Sequence, residues 1–130
     1  MYLKTTQTQK KRGTSKSERK RLIKLLDDEV RRILRERDKL CCSCGKPINE
    51  KSQVSHYVTR RVYALRWDLK NVHMSCPGCN LRHAYDPIPY TRFMIDKYGK
   101  GILDYLFLKK NELKTMTTPK LRELLEELRK

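Results

Sequence analysis

The sequence predicts a small α+β fold, a zinc-stapled core flanked by α-helices. Three observations predict it. Two Cys-x-x-Cys pairs, Cys41/Cys44 and Cys76/Cys79, bracket two short runs of strand character. A stripe of apolar residues at helical period fills the chain before the first pair. After the second pair, prolines and glycines cut the chain into helix-length pieces. At 130 residues, 38% hydrophobic and 35% charged, the chain can build only a modest core. Cores of that size commonly need a metal or a disulfide as a staple.

Residues 1–14 (MYLKTTQTQKKRGT) are polar, basic and without periodicity, which reads as a flexible basic arm. Ser15 with Glu18 three residues later fits a capping box. Leu22, Ile23, Leu26, Val30, Ile33 and Leu34 then mark one face of an amphipathic helix over about 17–38, opposite a face crowded with Arg and Lys. The arm is set apart from a single domain over 15–130, whose zinc core covers about 41–86 and whose C-terminal helices cover about 90–130.

In CCSCGKPI the chain turns around Cys41 and Cys44, with Gly45 suited to the tight knuckle. SQVSHYV alternates as a strand does, and NVHMS reads as a second short strand entering the second knuckle. Between them, RRVYALRWDLK reads as a strand leading into a turn. NLRHAY makes only a short helix, because Pro87 and Pro89 forbid its continuation. YTRFMIDKY is a helix stopped by Gly99, and ILDYLFLKKNEL is another. TPKLRELLEELRK closes the chain as a helix with Thr118 at the cap and Pro119 at the first helical position.

The net charge of +16 and a pI near 9.9 point to a polyanionic partner, with nucleic acid as the default. No apolar run approaches the ~20 residues of a membrane span, and the first residues lack the apolar stretch of a signal peptide. These features predict a reducing cytoplasm, where cysteines more often ligate metal than pair. Cys41, Cys44, Cys76 and Cys79 therefore read as one Cys₄ zinc site. Cys42 is left over, a neighbour or a substitute for Cys41 in a shifted register.

The order of residues around these pairs carries the chemistry. Zinc ties the first knuckle to the start of the short helix, so His56 on a strand and Asn80 on that helix can face each other. A one-metal phosphodiesterase needs such a pair. The imidazole takes a proton from water, and a helix-borne oxygen holds a divalent cation on the scissile phosphate.

This arrangement resembles the HNH (ββα-metal, His-Me finger) endonucleases in a zinc-stapled, treble-clef-like form. His56, Asn71 and Asn80 match the three motif positions. More finely, RERDKLCCSCGK, SHYVTRR, LRWDLKNVHMSCPGCN and the later Y…DKYG…ILDYL are similar to the phage lambda NinG (Rap) recombination nuclease family, from about residue 30 to about 106. The resemblance implies His56 as general base, Asn71 as a mainly structural amide that aims it, and Asn80 as a ligand to Mg²⁺ or Mn²⁺. It also implies structural zinc on the four cysteines. Many members carry Asp or His just before the base, as a second metal ligand; here Ser55 stands there, a poor ligand. His83 is a candidate ligand or leaving-group contact, or a solvent-facing helix residue. His73 is structural or touches phosphate. Trp67 and Tyr63 stack on a base or, for Trp67 especially, pack in the core.

The activity so implied is metal-dependent hydrolysis of branched DNA such as Holliday junctions and D-loops, in a host-cell cytoplasm if the chain is phage-encoded. Two other readings stay open: a zinc-stapled, non-catalytic DNA-binding module, and a nicking or restriction-type HNH endonuclease. The expected DNA contacts are Lys10, Lys11, Arg12, Arg19, Lys20, Arg21, Arg60, Arg61 and Arg82. The stripe of Leu121, Leu124, Leu125 and Leu128 packs on its own domain or serves a homodimer.

Overall fold

A computed structural model of the chain describes residues 2–112 and 115–130, with side chains described from residue 16 onward. It is a mixed α/β structure containing a two-stranded sheet. The elements in order are α1 (Tyr2–Arg37), β1 (Gln53–His56), α2 (Tyr63–Arg66), β2 (Val72–Ser75), α3 (Pro77–Arg82), α4 (Ile88–Tyr98), α5 (Ile102–Lys110) and α6 (Thr118–Arg129). They fall into two compact units, one made of the chain up to Glu29 with Met116–Lys130, the other of Val30–Thr115.

In the first unit, Leu22, Leu26, Met116, Leu121 and Leu125 are buried. The terminal leucine stripe is thus largely spent within the chain, with Leu124 and Leu128 half-buried. Arg19 Nη1 donates to the Met116 carbonyl at 2.7 Å, and Arg122 bridges to Glu18 at 2.6 Å. Glu18 therefore holds α6 and forms no capping box, since α1 runs through Ser15 from Tyr2. No proline interrupts residues 2–16, and the helix passes through Gly13, a poor helix former, where the apolar pattern fades. The side chains of the expected arm, Lys10, Lys11 and Arg12 among them, lie outside the described ones. At α6 the cap is Thr117, one residue earlier than expected: its hydroxyl accepts from Lys120 N, which puts Thr118 ahead of Pro119 in the first turn.

In the second unit, the end of α1 buries Val30 and Leu34, continuing the i, i+4 stripe. Strands β1 and β2 pair antiparallel, with Ser55 opposite His73 and His56 opposite Val72. The connection reads differently from the sequence expectation: Tyr63–Arg66 is a turn of helix, not a strand. Among the described residues β1 and β2 pair only with each other, and Leu65 N closes the turn onto the Val62 carbonyl. Trp67 is buried there, as core packing requires.

Helix α3 starts inside the second knuckle, with Pro77 in its first turn and Cys79 buried within it. It packs on β1. Gly45 (φ +75°) closes the first knuckle and Gly99 (φ +88°) ends α4, both in the left-handed region that favours glycine. Cys42, Leu65, Tyr90, Met94, Ile102 and Leu106 form the apolar core of this unit. Cys42 packs in this core, where burial pushes its thiol up to about 12, and it lies outside the sulfur cluster.

Candidate functional site

The sulfurs of Cys41, Cys44, Cys76 and Cys79 all lie within 4.8 Å of one another, with Cys44 and Cys76 at 4.0 Å. A tetrahedral zinc with Zn–S of about 2.3 Å needs sulfurs roughly 3.8 Å apart, so the four cysteines fit the ion closely. Among the described residues they are the only such group of potential ligands. The environment favours a thiolate at Cys41, while burial and the neighbouring sulfurs push the Cys79 thiol up. Burial raises the Cys41 pKa, but backbone N–H groups of Cys44, Cys76 and Ser43 outweigh it and hold it at about 6. Arg82 Nη2 lies on Cys79 Sγ at 3.7 Å, placing a cation against the cluster.

The staple joins the loop after α1 to the start of α3, which in turn lies over β1. Asparagine 71 fixes the other end of that strand. Its Oδ1 accepts from Val58 N at 2.9 Å, and its Nδ2 donates to the carbonyls of Val58 and Leu65, each at 3.1 Å. It is fully buried and clamps the chain two residues beyond His56.

His56 and Asn80 line one cleft of about 430 Å³, together with Val54, Thr59, Arg60 and His83. His56 Nε2 lies 3.1 Å from the Arg66 carbonyl, which can only accept. Nε2 therefore carries a proton and donates it to that carbonyl. Asn80 Nδ2 donates to Gln53 Oε1 at 2.8 Å, which leaves Oδ1 as the amide's acceptor. Ser55, next to His56 in the strand, points the other way by strand alternation. It is buried, and its Oγ has no hydrogen-bond partner. It does not line the cleft, so it is not placed to ligate an ion there.

His83 is at the cleft wall but is not a solvent-facing residue. Its Nε2 donates to the Tyr57 carbonyl at 2.9 Å, its Nδ1 is buried, and its ring packs beside Tyr57 and Tyr90. Neither nitrogen opens on the cleft, so the arrangement shows a pin between α3 and the residue after His56.

His73 resolves to the structural alternative. It is 0% exposed, out of reach of any phosphate. Tyr90 Oη gives its proton to the Ser55 carbonyl at 2.8 Å, so it accepts from His73 Nδ1 at 3.0 Å. His73 Nε2 then accepts from Tyr98 Oη at 2.8 Å. Burial and the nearby Arg37 lower its pKa to about 3, so the ring is neutral. The sequence reading missed two supports of this network. Asp38 Oδ2 accepts from Met74 N at 3.0 Å, and Arg37 donates to the carbonyls of Leu69 and Val72, both at 2.8 Å. The adjacent opposite charges at the end of α1 were the available signal.

Of the expected DNA contacts, Arg60 lines the cleft and Arg61 is exposed nearby in sequence. Arg82 is on the other side of α3, lining a second cleft of about 600 Å³ with Leu40, Ile88 and Arg92. Arg19 is engaged with Met116 in the first unit, and Lys20 and Arg21 are exposed on α1. No described helix is long and apolar enough to cross a membrane.

Fold and site together define a small mixed α/β protein with a four-cysteine centre suited to a metal such as zinc. The family model "Bacteriophage Lambda NinG protein" matches residues 3–130, and the chain belongs to that family. It is 32% identical over 85 residues to Protein ninG of Salmonella phage P22 and to that of Escherichia phage 933W, and 31% identical over 85 residues to that of Escherichia phage lambda. Each match covers 63% of this chain and 42% of the relative, so the likeness spans under half of those proteins. No solved structure matches.

Proposed function

We propose that this protein is a metal-dependent DNA endonuclease of the HNH type that hydrolyses branched recombination intermediates. One observation carries the reading: the zinc-ligand cluster and the Asn71 clamp bring His56 of β1 and Asn80 of α3 to one cleft that also holds Arg60. Each residue has a task it can perform as placed. His56, held by Nε2–H on the Arg66 carbonyl, is the base for a water attacking phosphorus in line. The carbonyl also steadies the imidazolium that forms. Arg60 supplies positive charge for the strand entering the cleft.

Asn80 Oδ1 is the oxygen that would hold Mg²⁺ or Mn²⁺, with phosphate and water filling the remaining positions. Such a cation, when bound, neutralises charge on the phosphate and on the departing 3′ oxygen. The preference for junctions and D-loops comes from the family resemblance together with the +16 charge.

A second reading, a zinc-stapled DNA-binding module without catalysis, is favoured by one feature: no Asp or Glu is among the residues lining the His56 cleft. Cleavage of a four-way junction, a D-loop, a flap and a linear duplex with Mg²⁺ or Mn²⁺, run beside His56→Ala, separates the two. Cutting of branched DNA that is lost in His56→Ala supports the endonuclease. Tight binding with no cut on any of the four, by protein carrying zinc, overturns it.

A further inference from the structure

We propose that Leu81 and Tyr85 form a wedge that enters an opened base step of the DNA, and so select branched over continuous duplex. The inference rests on reading the His56 cleft as a DNA site and adds what decides which DNA enters it. Leu81 is 73% and Tyr85 76% exposed, the largest exposures among the described large apolar side chains. They stand one turn apart. Leu81 is in α3, and the turns continue beyond it, with Tyr85 N and Asp86 N both donating to the Arg82 carbonyl.

Their neighbours in sequence open on two clefts. Asn80, His83 and Ala84 line the one containing His56, and Arg82 lines the other. The exposed pair therefore sits on the wall between the clefts, with Arg60 in one and Arg82 in the other.

An apolar ridge flanked by arginines matches a partner that is anionic outside and carries flat apolar rings inside, which is a description of nucleic acid. With a strand's phosphate at His56 and Asn80, the base step beside it meets Leu81 and Tyr85. Apolar side chains that push between bases must break stacking. A junction or a strand border has already lost part of that stacking, so the wedge enters there and is refused by uninterrupted duplex.

The test uses a four-way junction and a matched linear duplex, each with 2-aminopurine at the central step, the full chain loaded with zinc, and no magnesium. The expected result is a several-fold rise in fluorescence on binding the junction. A Leu81→Ser/Tyr85→Ser double variant should lose that rise, and its preference for the junction should drop about tenfold while duplex affinity stays within about twofold. A Leu81→Met/Tyr85→Phe variant should behave as the parent and control for folding. The proposal is overturned if the parent gives no rise, or if the Ser variant keeps both the rise and the preference. It is also overturned if the Ser substitutions convert a free dimer into a monomer, which would assign the ridge to a second copy. Unstacking by a protein that never cuts would leave the wedge standing and remove only the endonuclease reading.

Discussion

His56 and His73 lie on paired strands, one register step apart, and the imidazole itself does nothing to distinguish them. His73 is enclosed. Two tyrosine hydroxyls take its nitrogens, Phe93 packs edge-on at 4.8 Å, and burial keeps it uncharged. His56 is half-buried, has Nε2 on a carbonyl and lies at an open cleft beside Asn80. A ring that must stay neutral to satisfy its neighbours holds a fold together. A ring held through one nitrogen at the wall of an open cleft is placed as the proposed base requires. Alternation along two short strands is enough to divide these tasks.

The largest effect should come from removing what both histidines share. Cys76→Ser, or stripping the metal with a chelator, takes away the tie between the first knuckle and α3. Structural zinc in small domains contributes binding free energy of the order of 10 kcal/mol, more than a unit of this size can lose. Circular dichroism should show cooperative loss of structure together with release of one equivalent of zinc. Retained structure with the metal gone would show that the buried His73 side is self-sufficient and that only the cleft depends on the staple.

Next in size is the separation of the two rings by function. His56→Ala should lower cleavage about 10²–10⁴-fold, the usual contribution of a positioned base. Junction affinity and melting temperature should change little, because the ring is at a cleft wall. His73→Ala should do the reverse, costing about 3 kcal/mol of stability by taking the acceptor from the Tyr98 hydroxyl and a donor from Tyr90 Oη and by opening a cavity. Urea unfolding beside the cleavage assay reads both. A His56→Ala protein as unstable as His73→Ala would collapse the distinction.

Acid sharpens the same comparison. The folded His73 pKa of about 3 lies below the ordinary value of 6.5. The stability it contributes is complete above pH 6.5 and is lost as pH falls toward 3, because the unfolded chain then binds the proton that the folded chain refuses. Asp38 works in the same direction: burial opposes its charge, yet bonds from Arg37 and from the Met74 N–H hold its pKa below the usual value. Imidazole ¹⁵N shifts should report a neutral His73 at pH 5. A ring that titrates near 6.5 would mean that the tyrosine cage is open.

What was legible in the sequence differs by element, for physical reasons. The four-cysteine cluster was readable because Cys-x-x-Cys encodes ligand geometry locally, and the buried run Leu22–Leu26–Val30–Leu34 because helical period is local too. Asn71 was readable through the motif resemblance, and the structure gives its amide the clamping contacts. The roles of Asp38 and Arg37 were not legible, since they depend on backbone atoms more than thirty residues away. The inward turn of His83 was equally hidden. Spacing places it one turn beyond Asn80, but only the packed Tyr57 and Tyr90 decide where its nitrogens go. Residues 2–16 show no helical period in the sequence, so nothing in the apolar pattern marks where α1 begins.

The smallest expected effect belongs to the charge at the cleft. Arg60 is exposed and within the His56 cleft, so it can contribute a phosphate contact without supporting the fold. Arg60→Ala should weaken binding to all DNA shapes alike, by about 1 kcal/mol or less at physiological salt, and should reduce the slope of log affinity against log salt by about one. Arg82→Ala is the internal control. Its guanidinium rests on Cys79 Sγ, so loss there should disturb the metal cluster as well as the salt dependence. Titrations at several salt concentrations, with zinc content measured in parallel, check both. Identical behaviour of the two variants would mean that the arginines serve a single charged surface, and that α3 separates no chemistry from its support.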